Sequence, residues 1–134
     1  MGERGAGAAV DEGGFTLIEL LVVLVIVGVL LAIAVPSYLL YRQQAQDRTA
    51  QSNLREAIPA AEAYRIENDT YVGLDDPTNG LTSFDSGLAD GVGVNDPADL
   101  SQDHYCLVST YGGSTMWFAG PGGEITSTKP AGCT

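Results

Sequence analysis

Residues 15–35 form an unbroken apolar run, FTLIELLVVLVIVGVLLAIAV, whose only ionisable member is Glu19. At ~1.5 Å per residue a helix of this length extends roughly 31 Å, about the thickness of a bilayer's hydrocarbon layer. The run can therefore span a membrane, and Glu19 becomes the residue to explain. A charge in that layer costs on the order of 2.5 to 3.5 kcal/mol, which a Leu would avoid. Two local roles would offset this: a place in the first helical turn, where the macrodipole favours an acid by roughly 0.3 to 1 kcal/mol, and closeness to surface water. A third role is intermolecular. Gly13 and Gly14 are small and flexible enough for a peptidase to grip the backbone before Phe15, and a cut there creates an α-amine opposite in charge to Glu19. Among parallel helices displaced along their axes, Glu19 of one subunit would meet the Phe15 amine of the next. At ~4 Å and an effective dielectric near 20 the attraction is about 4 kcal/mol before desolvation, so the pair sets register more than stability.

Gly14 followed by Phe15-Thr16-Leu17-Ile18-Glu19-Leu20, with an apolar helix behind it and Pro36 near that helix's end, resembles the class III signal of type IV pilins and the related pseudopilins. With the helix, the resemblance covers about the first half of the chain. It implies that a prepilin peptidase cuts after Gly14 and methylates the new amine of Phe15, and that Glu19 recruits the incoming subunit. It also implies an α+β pilin fold, a homo-oligomeric helical filament, and an assembly ATPase and platform protein as partners. The leader departs from the family habit: it carries Glu3, Asp11 and Glu12 against Arg4, where family leaders are usually basic. Ala32-Ile33-Ala34 offers a different cut, by a secretory peptidase after Ala34. Against it stand an apolar region longer than the usual ~7 to 15 residues, an acidic start and Pro36 just beyond the cut.

The chain divides into a leader at 1–14, a membrane and filament-core half of the helix at 15–36, an amphipathic half at 37–66 and a head at 67–134. Ala50, Leu54, Ala57, Ile58, Ala61 and Tyr64 recur at spacings of three and four, an apolar stripe that predicts one helix over residues 16–66, roughly 75 Å long. The stripe is expected to be covered by C-terminal strands. Pro36 and Pro59 each leave a carbonyl four residues earlier without its donor, so each is expected to bend the helix without ending it. The resemblance adds that the segment from Gly28 to Pro36 can lose helicity in a filament; a membrane helix also tolerates both residue types.

From Glu67 onward there are ten acids and a single base, Lys129, a poor surface for nucleic-acid phosphate. Asp75-Asp76-Pro77-Thr78-Asn79-Gly80 and Asn95-Asp96-Pro97 are turn chemistry, so residues 68–103 are read as an irregular connection with room for a short strand or helical turn. The many aspartates there raise calcium, but the spacing of a calcium loop is missing and solvated acidic loops fit better. Runs at 104–110, 115–119 and 124–128, separated by Gly-rich turns, predict an antiparallel meander. Cys106 and Cys133 are the only cysteines, an even pair in a segment expected to be exported. A bond between them would contribute roughly 3 to 4 kcal/mol in the chain-entropy model and pin the tail. The resemblance favours that bond, many pilins having a disulfide-bounded C-terminal region, and two free thiols are the other reading.

His104 is the single histidine and has no nucleophile suggested by spacing; Gly120-Pro121-Gly122-Gly123 lacks the Lys-Ser/Thr of a phosphate loop. No catalytic residue, metal or cofactor is assigned, and enzyme is the disfavoured class. Asn68-Asp69-Thr70 fits a glycosylation sequon. The function expected is a filament subunit held in the cytoplasmic membrane by one span, its head outside, and then extracted into an extracellular or periplasmic polymer. The alternatives are a pseudopilin or minor pilin serving secretion or DNA uptake and, from another class, a membrane-anchored extracellular binding domain.

Overall fold

The computed structural model describes residues 13–134, so the expected leader lies outside the described residues apart from Gly13 and Gly14. Helix α1 (Leu17–Asn68) is followed by a one-turn helix α2 (Leu81–Phe84), strand β1 (Val92–Val94), a 3-10 turn (Pro97–Asp99), and strands β2 (Tyr105–Tyr111), β3 (Ser114–Gly120) and β4 (Ile125–Thr126). This is the α+β architecture expected, a long N-terminal helix followed by an antiparallel sheet. Two compact units result, one ending at Tyr38 and the other Leu39–Thr134.

In the first unit the large apolar side chains along α1, from Leu17 to Tyr38, are all exposed. The helix has the length and composition to cross a membrane. It continues through Pro36, next to which the Ser37 hydroxyl donates to the Ile33 carbonyl at 3.0 Å. It also continues through Pro59. Ring closure removes one donor at each proline, which one turn of neighbouring bonds tolerates.

The second unit contains the core. Its sheet has the order β1-β2-β3-β4 with every neighbouring pair antiparallel. Side chains alternate along β2 and β3, so Tyr105, Leu107, Ser109, Met116 and Phe118 are buried with the helix stripe. Of that stripe Ala50, Leu54, Ala57, Ala61 and Tyr64 are buried and Ile58 is partly so. The small alanines permit close approach, and complete burial of Leu54 is worth about 2 to 3 kcal/mol. Asn53 and Ala60 are buried with them, although neither belongs to the sequence stripe.

Strands β2 and β3 are joined by Gly112 and Gly113, at φ of 59° and 95°, the conformation a two-residue hairpin turn requires and which glycine adopts without steric penalty. At the other end of the pair Gly120 faces Tyr105, and a Cβ there would overlap the Tyr105 ring. The three expected strands correspond to β2, β3 and β4, with β4 shorter than the expected 124–128. The fourth, β1, lies in the segment read as an irregular connection with room for a short strand or helical turn. Val92-Gly93-Val94 is too short to show alternation, and it is a strand because it pairs with Ser109, Val108 and Leu107 of β2.

Candidate assembly site and the clasp of the head

Gly13 and Gly14 have no neighbouring atoms within 4 Å of where a Cβ would stand, and Phe15 is 88% exposed. The backbone at the expected cut is thus unobstructed among the described residues. Helix α1 begins two residues later and opens on a reciprocal cap. The Glu19 amide donates to the Thr16 hydroxyl at 3.2 Å. In return the Thr16 amide and hydroxyl each reach one Glu19 carboxylate oxygen at 3.5 Å. This is a capping box, with Thr16 as N-cap and Glu19 three positions on, and it satisfies donors that the first helical turn otherwise leaves open. Sequence reasoning placed Glu19 in the first turn but missed this partner, although Thr-x-x-Glu is the signature of the motif. The carboxylate bonds are long, so they hold Glu19 weakly. Leu17, Leu20, Leu21, Leu24 and Val25 line an open apolar cleft on the same helical turns. At about 100° per residue these side chains centre on the direction of Leu17, so the apolar cleft and the Glu19 carboxylate occupy nearly opposite faces of the helix start.

The head is closed at two places, the first of which sequence reasoning did not find. Glu62 accepts from the Tyr105 hydroxyl at 2.7 Å and from the Tyr71 hydroxyl at 2.8 Å, bridging two rings whose centroids are 4.4 Å apart. Burial first, and then the bond to the Glu62 carboxylate, push the Tyr71 hydroxyl up to about 12. The same causes raise Tyr105 further, so both phenols remain donors. Arg65 pairs with Asp69 at 2.7 Å and with Asp103 at 3.0 Å, joining the helix end to the loop before β2.

The second closure is at the C-terminus. Cys106 and Cys133 are bonded, with Cα atoms 5.6 Å apart. Alongside, the buried Asp99 carboxylate accepts from the Thr134 amide at 2.7 Å, from the Thr134 hydroxyl and from the Asn95 amide at 2.9 Å. Asn95 also donates to the Thr134 carbonyl at 3.0 Å. His104, the residue before β2, packs here with Nδ1 3.0 Å from the Asp99 carbonyl oxygen. Only a tertiary contact across the chain shows that Asp99 differs from the other aspartates.

Three of those others are occupied by their own turns. Asp76 accepts from the amides of Asn79 and Thr78, which hold its carboxyl below the ordinary value. Asp85 accepts from Gly87 and Asp96 from Ala98. Among the described residues, the one gathering of three metal-ligand side chains is Asp99, Cys106 and Cys133, and both of its sulfurs are consumed by the disulfide. The sequon amide of Asn68 donates to the Tyr64 carbonyl at 3.0 Å.

Comparison with known proteins agrees with the motif at Gly14 to Leu20. Residues 11–35 match the model of the prokaryotic N-terminal methylation motif. The chain is 30% identical over 135 residues to the type IV wide pilus major component PilA4 of Thermus thermophilus, covering 90% of this chain and 95% of that protein. A fimbrial protein of Pseudomonas aeruginosa is 37% identical over 114 residues, 78% of this chain and 71% of that one. The type II secretion system core protein G of Escherichia coli is 29% identical over 123 residues, 85% of each chain. No solved structure matches. With a helix α1 whose first half is bare and apolar, a disulfide-closed head and relatives that align along nearly the whole length, the chain belongs to the family of type IV pilins and their pseudopilin relatives.

Proposed function

We propose that this chain is the structural subunit of a type IV pilus-like filament. The observation that carries the reading is the exposed apolar half of α1, headed by an accessible Gly14-Phe15 bond and a weakly held Glu19. Such a surface suits first a bilayer and then the packed helices of a polymer. In this reading a prepilin peptidase removes the leader after Gly14 and methylates Phe15. The subunit waits in the cytoplasmic membrane with its head outside. An assembly ATPase and a platform protein then drive its extraction. Glu19 leaves its Thr16 cap for the Phe15 amine of a neighbouring copy, exchanging long hydrogen bonds for a charge-assisted one. The relatives support filament formation and a structural rather than catalytic role.

Similarity to core protein G along 85% of both chains favours one second reading, a pseudopilin forming a short secretion filament. Overproduction separates the two: long surface fibres in a strain without a type II secretion system support the pilus.

The experiment is mass spectrometry of the mature chain together with Glu19→Ala. Phe15 should be the N-terminal residue and carry a methyl group, and the variant should be processed normally yet be absent from sheared filaments. A chain beginning at Met1 or Val35 would overturn the processing, and normal incorporation of the variant would overturn the role of Glu19.

A further inference from the structure

Charge is divided unevenly between the two faces of the second unit. Among the described residues the ion pairs all involve Arg65. Arg48 and Arg55 are exposed and take part in none. Seven residues apart, they differ by only about 20° around a helix and, with Tyr41 one heptad earlier and 77% exposed, form a line along it. Arg48 lies roughly half a turn around α1 from Ala57, which is completely buried against the sheet. The face carrying this line is the outward one: Tyr41 and Arg48 are exposed on it, and Arg55, exposed as well, borders a cleft that it shares with Glu124 and Ile125.

The acids show the complementary pattern. Asp76, Asp85, Asp96 and Asp99 accept hydrogen bonds within the head, and Asp69 and Asp103 hold Arg65. Asp75 and Asp90 are exposed with no such engagement of their side chains, as are Glu56, Glu67 and Glu124. The two aspartates flank β1: Asp90 immediately precedes it, and Asp75 lines a cleft with Val92, Gly93 and Val94. Charges beside an edge strand discourage pairing with another edge. They also make that edge the negative counterpart of the arginine line.

We infer that the line of Arg48 and Arg55 is the seat for the Asp75 and Asp90 edge of a second copy of this chain. The inference rests on the filament reading, because only a polymer brings many such heads together. From Glu67 to the end the chain has ten acids against Lys129, so crowded heads repel one another unless cations are placed between them. Each copy carries both halves of the contact on different surfaces, a head-to-tail arrangement that propagates as an open helix and does not close into a dimer. The contact selects register and partner more than it adds affinity, as rim charges do.

The test is a charge swap within the full chain. Arg48→Glu with Arg55→Glu should reduce sheared filaments on the order of tenfold, through loss of attraction and new like-charge repulsion. The processed, membrane-held pool and the Cys106–Cys133 bond should be unchanged. Adding Asp75→Lys and Asp90→Lys to the same chain should restore assembly, and the milder Arg48→Gln with Arg55→Gln should make filament yield fall more steeply with salt. Normal filaments from the Arg→Glu chain would overturn the arginine seat. Loss without rescue by the lysines would overturn the pairing with the β1 edge. A wild-type chain that forms no filament while Glu19→Ala behaves identically would instead bring down the filament reading, and this contact with it.

Discussion

Burial pushes the Asp99 carboxyl up, and the Thr134 hydroxyl, the Asn95 amide and the Thr134 amide more than offset it, so the group is held below its ordinary value. A carboxyl depressed in the folded state contributes stability that is complete above its unfolded value of about 3.9 and lost as pH falls through the folded one. Asp99→Asn should flatten the acid limb of the head's pH–stability curve, read by denaturation at several pH values; an unchanged limb would refute the clasp. Ser109 and Asn53 pose the opposite case. Their Oγ and Nδ2 are buried without a partner. Ser109 is four residues along β2 from Tyr105, ~13 Å, and Asn53 nine residues back along α1 from Glu62, also ~13 Å, so the Tyr105–Glu62 bond sets them at one level. Asn53→Leu with Ser109→Ala should leave stability unchanged or raise it by up to about 2 kcal/mol, since both orphaned groups are removed together. A clear loss on denaturation would mean that water joins them. Neither Asn53 nor Asp99 announces itself in sequence: Asn53 is a polar residue beside the apolar stripe, and Asp99 is one of many aspartates. Thr16 and Glu19 did, through their spacing.

Helix α1 was legible because its pattern is long, with an apolar run and then a stripe at spacings of three and four. Strands β2 and β3 were legible from alternation and from the glycines between them. Strand β1 was not, since three residues cannot display a period and Gly93 weakens what remains. The bond from Cys106 to Cys133 ties the first long strand to the tail across 27 residues. Replacing both cysteines with Ser should cost about 3 kcal/mol of head stability in the chain-entropy model. Urea denaturation of the oxidised and substituted chains measures it, and a difference under 1 kcal/mol would show the Asp99–Thr134 clasp to be sufficient alone.

The core of the whole molecule, from Ala50 to Cys133, falls within the unit Leu39–Thr134. No buried residue lies between Phe15 and Thr49, so that half of the helix contributes no core. A chain starting at Leu39 is therefore expected to be monomeric and folded, with its disulfide formed. Size exclusion and circular dichroism test this, and aggregation or loss of helix would show that the apolar half supports the head. Net charge helps: the head's acids keep isolated copies apart, and a neutral head would lack this.

The sequence by itself determined the N-terminal methylation motif, the membrane-length helix, its amphipathic continuation and the class of the head. Each of these rests on local order along the chain, a motif or a period, which side-chain chemistry expresses without reference to distant residues. Tertiary structure alone decided which acids are free and which are spent, that Glu62 bridges two tyrosines, that Asp99 holds the tail, and that β1 pairs with β2 as a fourth strand. Those assignments depend on residues far apart in sequence meeting in space, and no pattern within a single segment records such a meeting.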